Sequence, residues 1–115
     1  MNIFQRIKDH FVDPTGQKRS SEWRKVRNEF LKKNPTCAAC GKTERLQIHH
    51  KIPFHINPTL ELEESNLITL CTGKTLNCHI IVGHRGNFKQ MNLAVEKDAD
   101  YIRYMLDDVH NINQH

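Results

Sequence analysis

The sequence predicts a single small α+β domain in which two short strands are flanked by helices. Its 115 residues are enough for one domain and leave no room for a second large core. Apolar residues make up only 37% of the chain, so hydrophobic burial supplies a thin core. Two short stretches, of which the first alternates apolar and polar residues, have the pattern of strands, and longer ones have helical periodicity. Four cysteines in two pairs then suggest that something besides burial holds the domain together.

The first eighteen residues form an N-terminal extension to which we assign no function. Residues 13–16, with the sequence Asp-Pro-Thr-Gly, predict a turn near its end. The apolar residues before that turn fall at helical spacing and predict a short amphipathic helix. They are Ile3, Phe4, Ile7 and Phe11.

A basic helix is predicted next. Ser20 or Ser21 suits its N-cap position, and Asn34-Pro35 ends it. The face with basic residues is either an ordinary solvated surface or a surface that also contacts phosphate, and both can hold at once. The apolar stripe consists of Trp23, Val26 and Phe30, with Leu31 beside them. The other faces carry Arg24, Lys25, Arg27, Lys32 and Lys33.

Two strands follow along the chain. Residues 46–49 (Leu-Gln-Ile-His) alternate apolar and polar side chains and predict the first strand. Residues 67–70 (Leu-Ile-Thr-Leu) predict the strand that returns beside it. Residues 53–65 form a loop whose acidic side chains we expect to be solvated. Those side chains are Glu61, Glu63 and Glu64.

Two further helices are predicted after the second strand. A short loop over residues 72–77 leads to a helix over residues 78–89, which Gly83 and Gly86 weaken. Residues 20–90 then form the core, and residues 91–111 form a C-terminal helix that packs on it and carries no chemistry. The packing face of that helix consists of Val95, Ala99, Ile102, Met105 or Leu106, and Val109.

The sequence indicates a cytoplasmic protein with no membrane partner. Residues 1–10 are too polar for the apolar region of a secretory signal. No apolar run approaches the ~20 residues that a membrane span needs. Thiols stay reduced in the cytoplasm, so four cysteines there favour metal ligands over two disulfides.

Positive charge is concentrated in the first half of the chain. Residues 1–51 hold twelve Lys and Arg against five Asp and Glu, whereas residues 52–115 hold five against eight. The basic half indicates either a polyanionic partner, of which nucleic acid is the commonest, or an ordinary solvated surface.

The two cysteine pairs predict a structural zinc site. Cys37 and Cys40 form a CxxC turn, followed by Gly41, which lets the backbone turn tightly. Such a turn places two thiolates on one side of a tetrahedral ion. Cys71 and Cys78 complete the coordination sphere across a longer loop of six residues. With four thiolate ligands the zinc has no position for water, so it is structural and not catalytic.

Histidines and one asparagine stand at the ends of the same elements. His49 and His50 end the first strand, and Asn66 opens the second. His79 begins the helix that follows, and His84 lies five residues further on. Adjacent residues of a strand point to opposite sides, so His49 and His50 cannot serve identical roles unless the strand bends there.

The order of these residues resembles the HNH endonuclease family. The resemblance is carried by residues 49–53 (His-His-Lys-Ile-Pro), by residues 66–71 (Asn-Leu-Ile-Thr-Leu-Cys), by Cys78-His79 and by the lead-in from Trp23 to the CxxC turn. It covers about residues 20–90, and the chain is similar in particular to the small HNH proteins of phages and bacteria. The resemblance implies a ββα-metal (His-Me finger) core around one catalytic divalent ion, here joined to a four-cysteine zinc knuckle and flanking helices.

The resemblance also implies a role for each residue of the motif. His49 is expected to bind the catalytic ion and His50 to act as the general base. Asn66 holds the loop and orients the base, and His79 is a second metal ligand. Some family members use a further histidine on the helix. His84 is the one available here, but its five-residue spacing does not place it on quite the same helical face as His79.

Chemical principles agree with these roles. A neutral imidazole can take a proton from water near pH 7. A divalent ion such as Mg²⁺, Mn²⁺, Ni²⁺ or Zn²⁺ can neutralise charge on a scissile phosphate. The prediction is therefore hydrolysis of DNA, with His50 activating water and an ion on His49 and His79 stabilising the leaving 3′-oxygen. The family resemblance implies 5′-phosphate and 3′-hydroxyl ends.

Several cations are expected to contact DNA phosphates. Such contacts give a salt-dependent affinity that carries little sequence information. They are Arg24, Lys25, Arg27, Lys32, Lys33, Lys51, Arg85 and Lys89.

Two other interpretations remain open beside the nuclease. One is a zinc-stabilised nucleic-acid-binding module without chemistry. The other is a protein-interaction module, for example in a phage packaging or assembly complex, that retains the fold alone. Metal-dependent plasmid nicking separates the nuclease from both alternatives. Salt-sensitive DNA binding separates the nucleic-acid-binding module from the protein-interaction module.

Overall fold

A two-stranded antiparallel sheet forms the centre of the protein in a computed structural model that describes residues 19–73, 76–86 and 90–113. Strand β1 (Leu46–His50) pairs with strand β2 (Leu67–Cys71), so that Leu46 lies opposite Cys71 and His50 lies opposite Leu67. Every residue of β2 is buried. The two predicted strands are therefore confirmed, each one residue longer than the sequence pattern indicated.

Three predictions lie outside the described residues. They are the amphipathic helix before residue 12, the turn over residues 13–16, and phosphate contact by Lys89. Within the part of the chain that is described, no helix is both long and apolar enough to cross a membrane.

Helix α1 (Trp23–Lys33) buries Phe30 and exposes its basic residues. The N-cap predicted at Ser20 or Ser21 is wrong, because Glu22 occupies that position and makes no side-chain cap bond. The Ser20 hydroxyl instead accepts the N–H of Glu22 at 3.1 Å in the turn before the helix. The side chain of Asn34 closes the other end by donating to the Phe30 carbonyl at 3.1 Å.

The loop between the strands contains two short 3-10 turns, Pro58–Leu60 and Glu64–Asn66. The prediction that its acidic side chains are solvated holds for Glu63 and Glu64 and is wrong for Glu61. Glu61 is only 3% exposed, because its carboxylate accepts hydrogen bonds from the segment that leads into α1.

Residues 78–86 do not form the α-helix that the sequence predicted over residues 78–89. A single π-helical turn spans His79–Gly83, and the chain then reverses. Arg85 and Gly86 have φ angles of +51° and +83°, and the Gly86 N–H donates to the Ile80 carbonyl at 2.8 Å. This left-handed pair ends the helical path at a point where the sequence pattern alone allowed it to continue.

Helix α2 (Val95–Asn113) begins four residues later than predicted, because Asn92 orders the approach to it. The Asn92 Oδ1 accepts the Ala94 N–H at 3.0 Å. The predicted packing face is covered only over its first turns, where Val95 and Ala99 are fully buried. Its continuation is 43–51% exposed, at Met105, Leu106 and Val109.

The core of the domain is built around the cysteines. Sulfur atoms and aliphatic side chains from β2, the π-helical turn and α2 form one buried cluster. Apart from the cysteines, its larger side chains come from β2, the π-helical turn and α2, so the cluster joins these three elements. The buried residues are Cys37, Ala39, Ile68, Leu70, Cys71, Cys78, Val82, Val95 and Ala99. The protein is thus a small α+β domain that is consistent with a ββα-metal core.

Candidate metal centres

The four cysteine sulfurs converge on one point. The CxxC turn is closed by two backbone hydrogen bonds, from Cys37 N–H to the Lys42 carbonyl at 2.8 Å and from Gly41 N–H to the Cys37 carbonyl at 2.9 Å. Gly41 has a φ of +81°, as the tight turn requires. Cys71 ends β2 and Cys78 precedes the π-helical turn, which brings all four Sγ atoms within 4.8 Å of one another.

The sulfur cluster fits a tetrahedral zinc ion. Thiolates bound at ~2.3 Å to such an ion lie ~3.8 Å from one another. The Sγ atoms of Cys40 and Cys71 are 3.5 Å apart, close to that value and far longer than a disulfide bond. All four cysteines are free thiols, and Cys37, Cys71 and Cys78 are buried. The four cysteines are therefore positioned to bind a metal ion.

Backbone amides prepare one of the sulfurs to be a thiolate. Burial by itself raises the pKa of Cys37, but hydrogen bonds from the backbone of Cys40, Cys71 and Ala39 lower it to about 7. Burial raises the pKa of Cys78, so without a cation this thiol stays protonated. A divalent ion removes that penalty, because it compensates the charge of all four sulfurs together.

A second cluster consists of three histidines. His49 comes from β1, His79 opens the π-helical turn and His84 follows its end. Their ring centroids are 5.2, 5.0 and 4.8 Å apart in pairs, and each pair of rings meets edge to face. One nitrogen of each ring lies within 4.8 Å of the others.

The π-helical turn explains how His84 joins this cluster. In an α-helix, residues four apart share a face, and a five-residue spacing does not. A π-helix bonds residue i to residue i+5, so its wider turn returns a side chain to the same face after five residues. His84 itself follows the turn with non-helical backbone angles, and its N–H donates to the Ile80 carbonyl at 3.2 Å. The wide turn and the break after it together place the His84 ring beside His79.

The environment of the histidine cluster favours the neutral imidazoles of His49 and His79, and metal binding requires neutral imidazoles. Burial, followed by the neighbouring rings of His79 and His84, lowers the pKa of His49 to about 3. Burial, followed by His84, lowers the pKa of His79 as well. The carbonyl of Gln90 accepts a hydrogen bond from Nδ1 of His84 at 2.8 Å, so this ring nitrogen carries a proton. Three neutral imidazoles can hold a divalent ion with positions left for water and substrate.

His50 lies beside this cluster and outside it. Its Nε2 is 2.9 Å from the Glu61 carbonyl, which can only accept, so Nε2 carries the proton and Nδ1 is the basic nitrogen. The ring of Trp23 lies on it with the centroids 4.5 Å apart. Burial is the main cause that lowers the pKa of His50, and the Glu61 carbonyl partly opposes it.

The side chain of Asn66 holds the loop between the strands through hydrogen bonds to backbone groups of that loop. Its Oδ1 accepts the Ile52 N–H at 2.8 Å, and its Nδ2 donates to the carbonyls of Ile52 at 3.0 Å and Leu60 at 3.2 Å. The residue is 5% exposed. These bonds make Asn66 a positioning residue, because they tie the chain that leaves His50 to the chain that returns to β2.

A cleft of about 250 Å³ contains the four histidines of the site. Arg19, which sequence reasoning did not single out, lines it as well, with its guanidinium 4.2 Å from the centroid of the Phe54 ring. Its signal in the sequence is weak, since one arginine before a helix resembles any surface cation. His55 lies exposed at the rim of this cleft.

Two of the cations predicted to contact DNA form ion pairs with glutamate side chains, and the other cations that the structure describes are exposed. Lys51 is half-buried and its Nζ bonds Glu96 Oε2 at 3.0 Å, so it must share or leave that partner to reach a phosphate. Lys33 likewise bonds Glu64 at 2.9 Å. The exposed cations on α1 and after the π-helical turn are Arg24, Lys25, Arg27, Lys32 and Arg85.

Comparison with protein families identifies the segment that carries both clusters. The family model described as HNH endonuclease matches residues 37–85. This segment contains all four cysteines and the histidines of the cleft. The resemblance predicted from the sequence is confirmed over these residues. Comparisons with curated proteins and with solved structures gave no match.

Proposed function

We propose that this protein, which carries an HNH endonuclease segment over residues 37–85, is a metal-dependent endonuclease that hydrolyses phosphodiester bonds of DNA. The observation that supports this most is the convergence of His49, His79 and His84 in the cleft that also contains His50. A cluster of three imidazoles leaves coordination positions for substrate, whereas the four-thiolate cluster leaves none. The two clusters therefore suit different roles, one in chemistry and one in structure.

The histidine cluster supplies the site for the catalytic ion. Held by His49, His79 and His84, a divalent ion would act as a Lewis acid toward charge on the phosphate and the leaving oxygen. Arg19 adds a positive charge at the wall of the cleft, on the side of Phe54.

His50 is the general base of the proposed reaction. Its Nδ1 takes a proton from a water molecule, and the water oxygen forms a new bond to phosphorus. The bond from phosphorus to the 3′-oxygen breaks, and that oxygen takes a proton from solvent. The products are a 5′-phosphate and a 3′-hydroxyl. The Glu61 carbonyl supports this direction of transfer, because it holds the other ring proton on Nε2.

DNA is the proposed partner, and the cytoplasm is the proposed location, that of the bacterial host if a phage encodes the protein. The exposed cations of α1 suit the backbone of a duplex that extends past the cleft, because Trp23 on the same helix contacts His50 inside it. Such contacts give affinity without base recognition.

Incubation of supercoiled plasmid with the purified protein tests the proposal. The reactions contain Mg²⁺, Mn²⁺ or Ni²⁺, or no added metal, and compare the wild type with His50→Ala. His55→Ala is the matched control, since this histidine is exposed at the rim of the same cleft. We expect metal-dependent nicking by the wild type and by His55→Ala, and none by His50→Ala.

The result also separates the competing interpretations. If no metal supports cleavage while the protein retains about one zinc per chain, the nuclease proposal fails. Salt-sensitive binding of DNA would then favour the binding module, and its absence would favour a protein-interaction module.

A further inference from the structure

Glu61 is a buried acid that the catalytic scheme does not use. Its side chain is 4% exposed, although it lies in the loop between the strands. Its Oε1 accepts the backbone N–H of Ser20 at 2.7 Å, and its Oε2 accepts from Nη1 of Arg19 at 3.5 Å. The carboxylate therefore fastens the segment immediately before α1 to a loop some forty residues further along the chain.

The backbone of Glu61 has a separate contact with the active site. Its carbonyl accepts the Nε2 proton of His50 at 2.9 Å. Trp23 contacts the same imidazole through its ring, with centroids 4.5 Å apart and planes inclined at 31°. The ring of His50 is thus held at its edge by Glu61 and at its face by Trp23.

Together these contacts form a closed loop that begins and ends at Glu61. The Glu61 carboxylate holds Ser20, the turn after Ser20 leads into Trp23, Trp23 packs on His50, and His50 bonds the Glu61 carbonyl. Ser20 in turn holds the first residues of α1, because its hydroxyl accepts the Glu22 N–H at 3.1 Å and its carbonyl accepts the Trp23 N–H at 3.3 Å. The bond from the Glu61 carboxylate to the Ser20 N–H therefore ties the start of the helix to the loop between the strands. A charged acceptor makes this bond stronger than a neutral one.

We propose that Glu61 is a positioning residue for the general base: its carboxylate anchors the lead-in to α1 so that Trp23 holds the His50 ring in its productive orientation. This inference rests on the proposed function for the role of His50. The positioning contact itself, between Trp23 and His50, exists independently of any cleavage.

The chain provides its own probe of this contact, because Trp23 is its one tryptophan. Its fluorescence responds to the imidazole that lies against it. The variants are Glu61→Gln, which keeps an acceptor for the Ser20 N–H without the charge, and Glu61→Leu, which removes the acceptor. Glu63→Gln is the matched control, since Glu63 is an exposed acid of the same loop.

We expect both Glu61 variants to change Trp23 emission and its quenching by acrylamide, and Glu63→Gln to leave both unchanged. In plasmid nicking, kcat should fall about tenfold in Glu61→Leu and less in Glu61→Gln, with KM unchanged, because a misplaced base costs rate and not binding. Zinc content should stay at the wild-type value in every variant that folds.

Trp23 emission and the kcat of plasmid nicking test the proposal independently of each other. If the wild type does not cleave DNA, the proposed function is lost and Trp23 emission alone decides whether Glu61 positions the ring. If Glu61→Leu does not fold, the comparison of Glu61→Gln with Glu63→Gln decides. Emission and kcat in Glu61→Gln that match those in Glu63→Gln overturn the proposal.

Discussion

Gly83 lies so close to His49 that a methyl group on its Cα would come to 3.2 Å from Cε1 and 3.3 Å from Nδ1 of the imidazole. The added methyl group would also lie 3.3 Å from Cδ1 of Leu70, so it could not shift away from His49 toward that side chain. We therefore expect Gly83→Ala to displace the His49 ring and to weaken binding of the catalytic ion about tenfold. Calorimetric titration with Mn²⁺ measures this affinity.

Ile81→Ala is the control for the glycine substitution, because Ile81 belongs to the same turn and is 51% exposed. Its affinity for Mn²⁺ should equal that of the wild type. Both variants should keep their structural zinc. Wild-type Mn²⁺ affinity in Gly83→Ala would show that the close approach of Gly83 to His49 does not matter for the metal site.

The pH dependence of cleavage should reflect the environment of His50. Its imidazole must be neutral to accept a proton, and burial, with a smaller contribution from Arg19, lowers its pKa below the ordinary ~6.5. Lowering the pKa moves protonation to more acidic solution, so kcat/KM should still be at its plateau at pH 7 and decline with a midpoint below ~6.5.

Arg19→Gln should move that midpoint to higher pH, because it removes a positive charge that disfavours the imidazolium. The profile is measured at saturating Mn²⁺, with Mn²⁺ binding followed at each pH as the control. An acid limb centred above ~6.5 in the wild type would contradict the assignment of His50.

The sulfur cluster and the histidine cluster should respond differently to substitution. Cys71 and Cys78 lie inside the hydrophobic core, so Cys78→Ser should lose zinc and the cooperative thermal transition together. His79→Ala should keep about one zinc per chain and a normal transition, and should lose only the second metal. Zinc analysis and circular dichroism measure both properties, and a folded, zinc-free Cys78→Ser would refute the structural role of the sulfur cluster.

Asn92 should stabilise the junction between the π-helical turn and α2. It is 2% exposed, and its Nδ2 donates to the Val82 carbonyl at 2.8 Å and to Asp98 at 2.7 Å. Asn92→Ala leaves the buried carbonyl without its partner, which costs about 2 kcal/mol. Urea unfolding of the zinc-loaded protein measures this loss. The exposed Asn28→Ala should change the free energy of unfolding by less than about 0.5 kcal/mol.

The basic face of α1 should determine how salt affects DNA binding. Replacing Arg24, Lys25 or Arg27 with Ala should each reduce the slope of log affinity against log salt by about one. Fluorescence anisotropy with a labelled duplex measures the slope. Lys97→Ala on α2 is the control, since this exposed cation lies outside the proposed surface. Equal slopes in all variants would remove α1 from the DNA interface.

The features that the sequence predicted well depend on local patterns. Alternation between apolar and polar residues located the first strand, a short, mostly apolar run located the second, and the spacing of Cys37 and Cys40 located the knuckle. The family resemblance then assigned His49 and His79 to one site from the sequence alone, because strand ends and helix starts fix where such side chains lie.

The remaining features depend on long-range contacts or on rare backbone geometry. No periodic pattern distinguishes a π-helical turn, so the place of His84 could not be derived from the ordinary helical repeat of about 3.6 residues. Glu61 resembled a solvated loop acid because the groups that bury it, Arg19 and Ser20, are more than forty residues away. The exposed end of α2 has the same apolar stripe as its buried start, so the pattern could not tell where the core ends.

One peptide bond separates the two metal clusters, since Cys78 belongs to the sulfur cluster and His79 to the histidine cluster. The position of His79 therefore depends on the cysteine cluster. We expect zinc binding by the cysteines to precede binding of the proposed catalytic ion, because it puts His79 in place. Insertion of a single residue between these two positions would uncouple the centres, even though each set of ligands would remain complete.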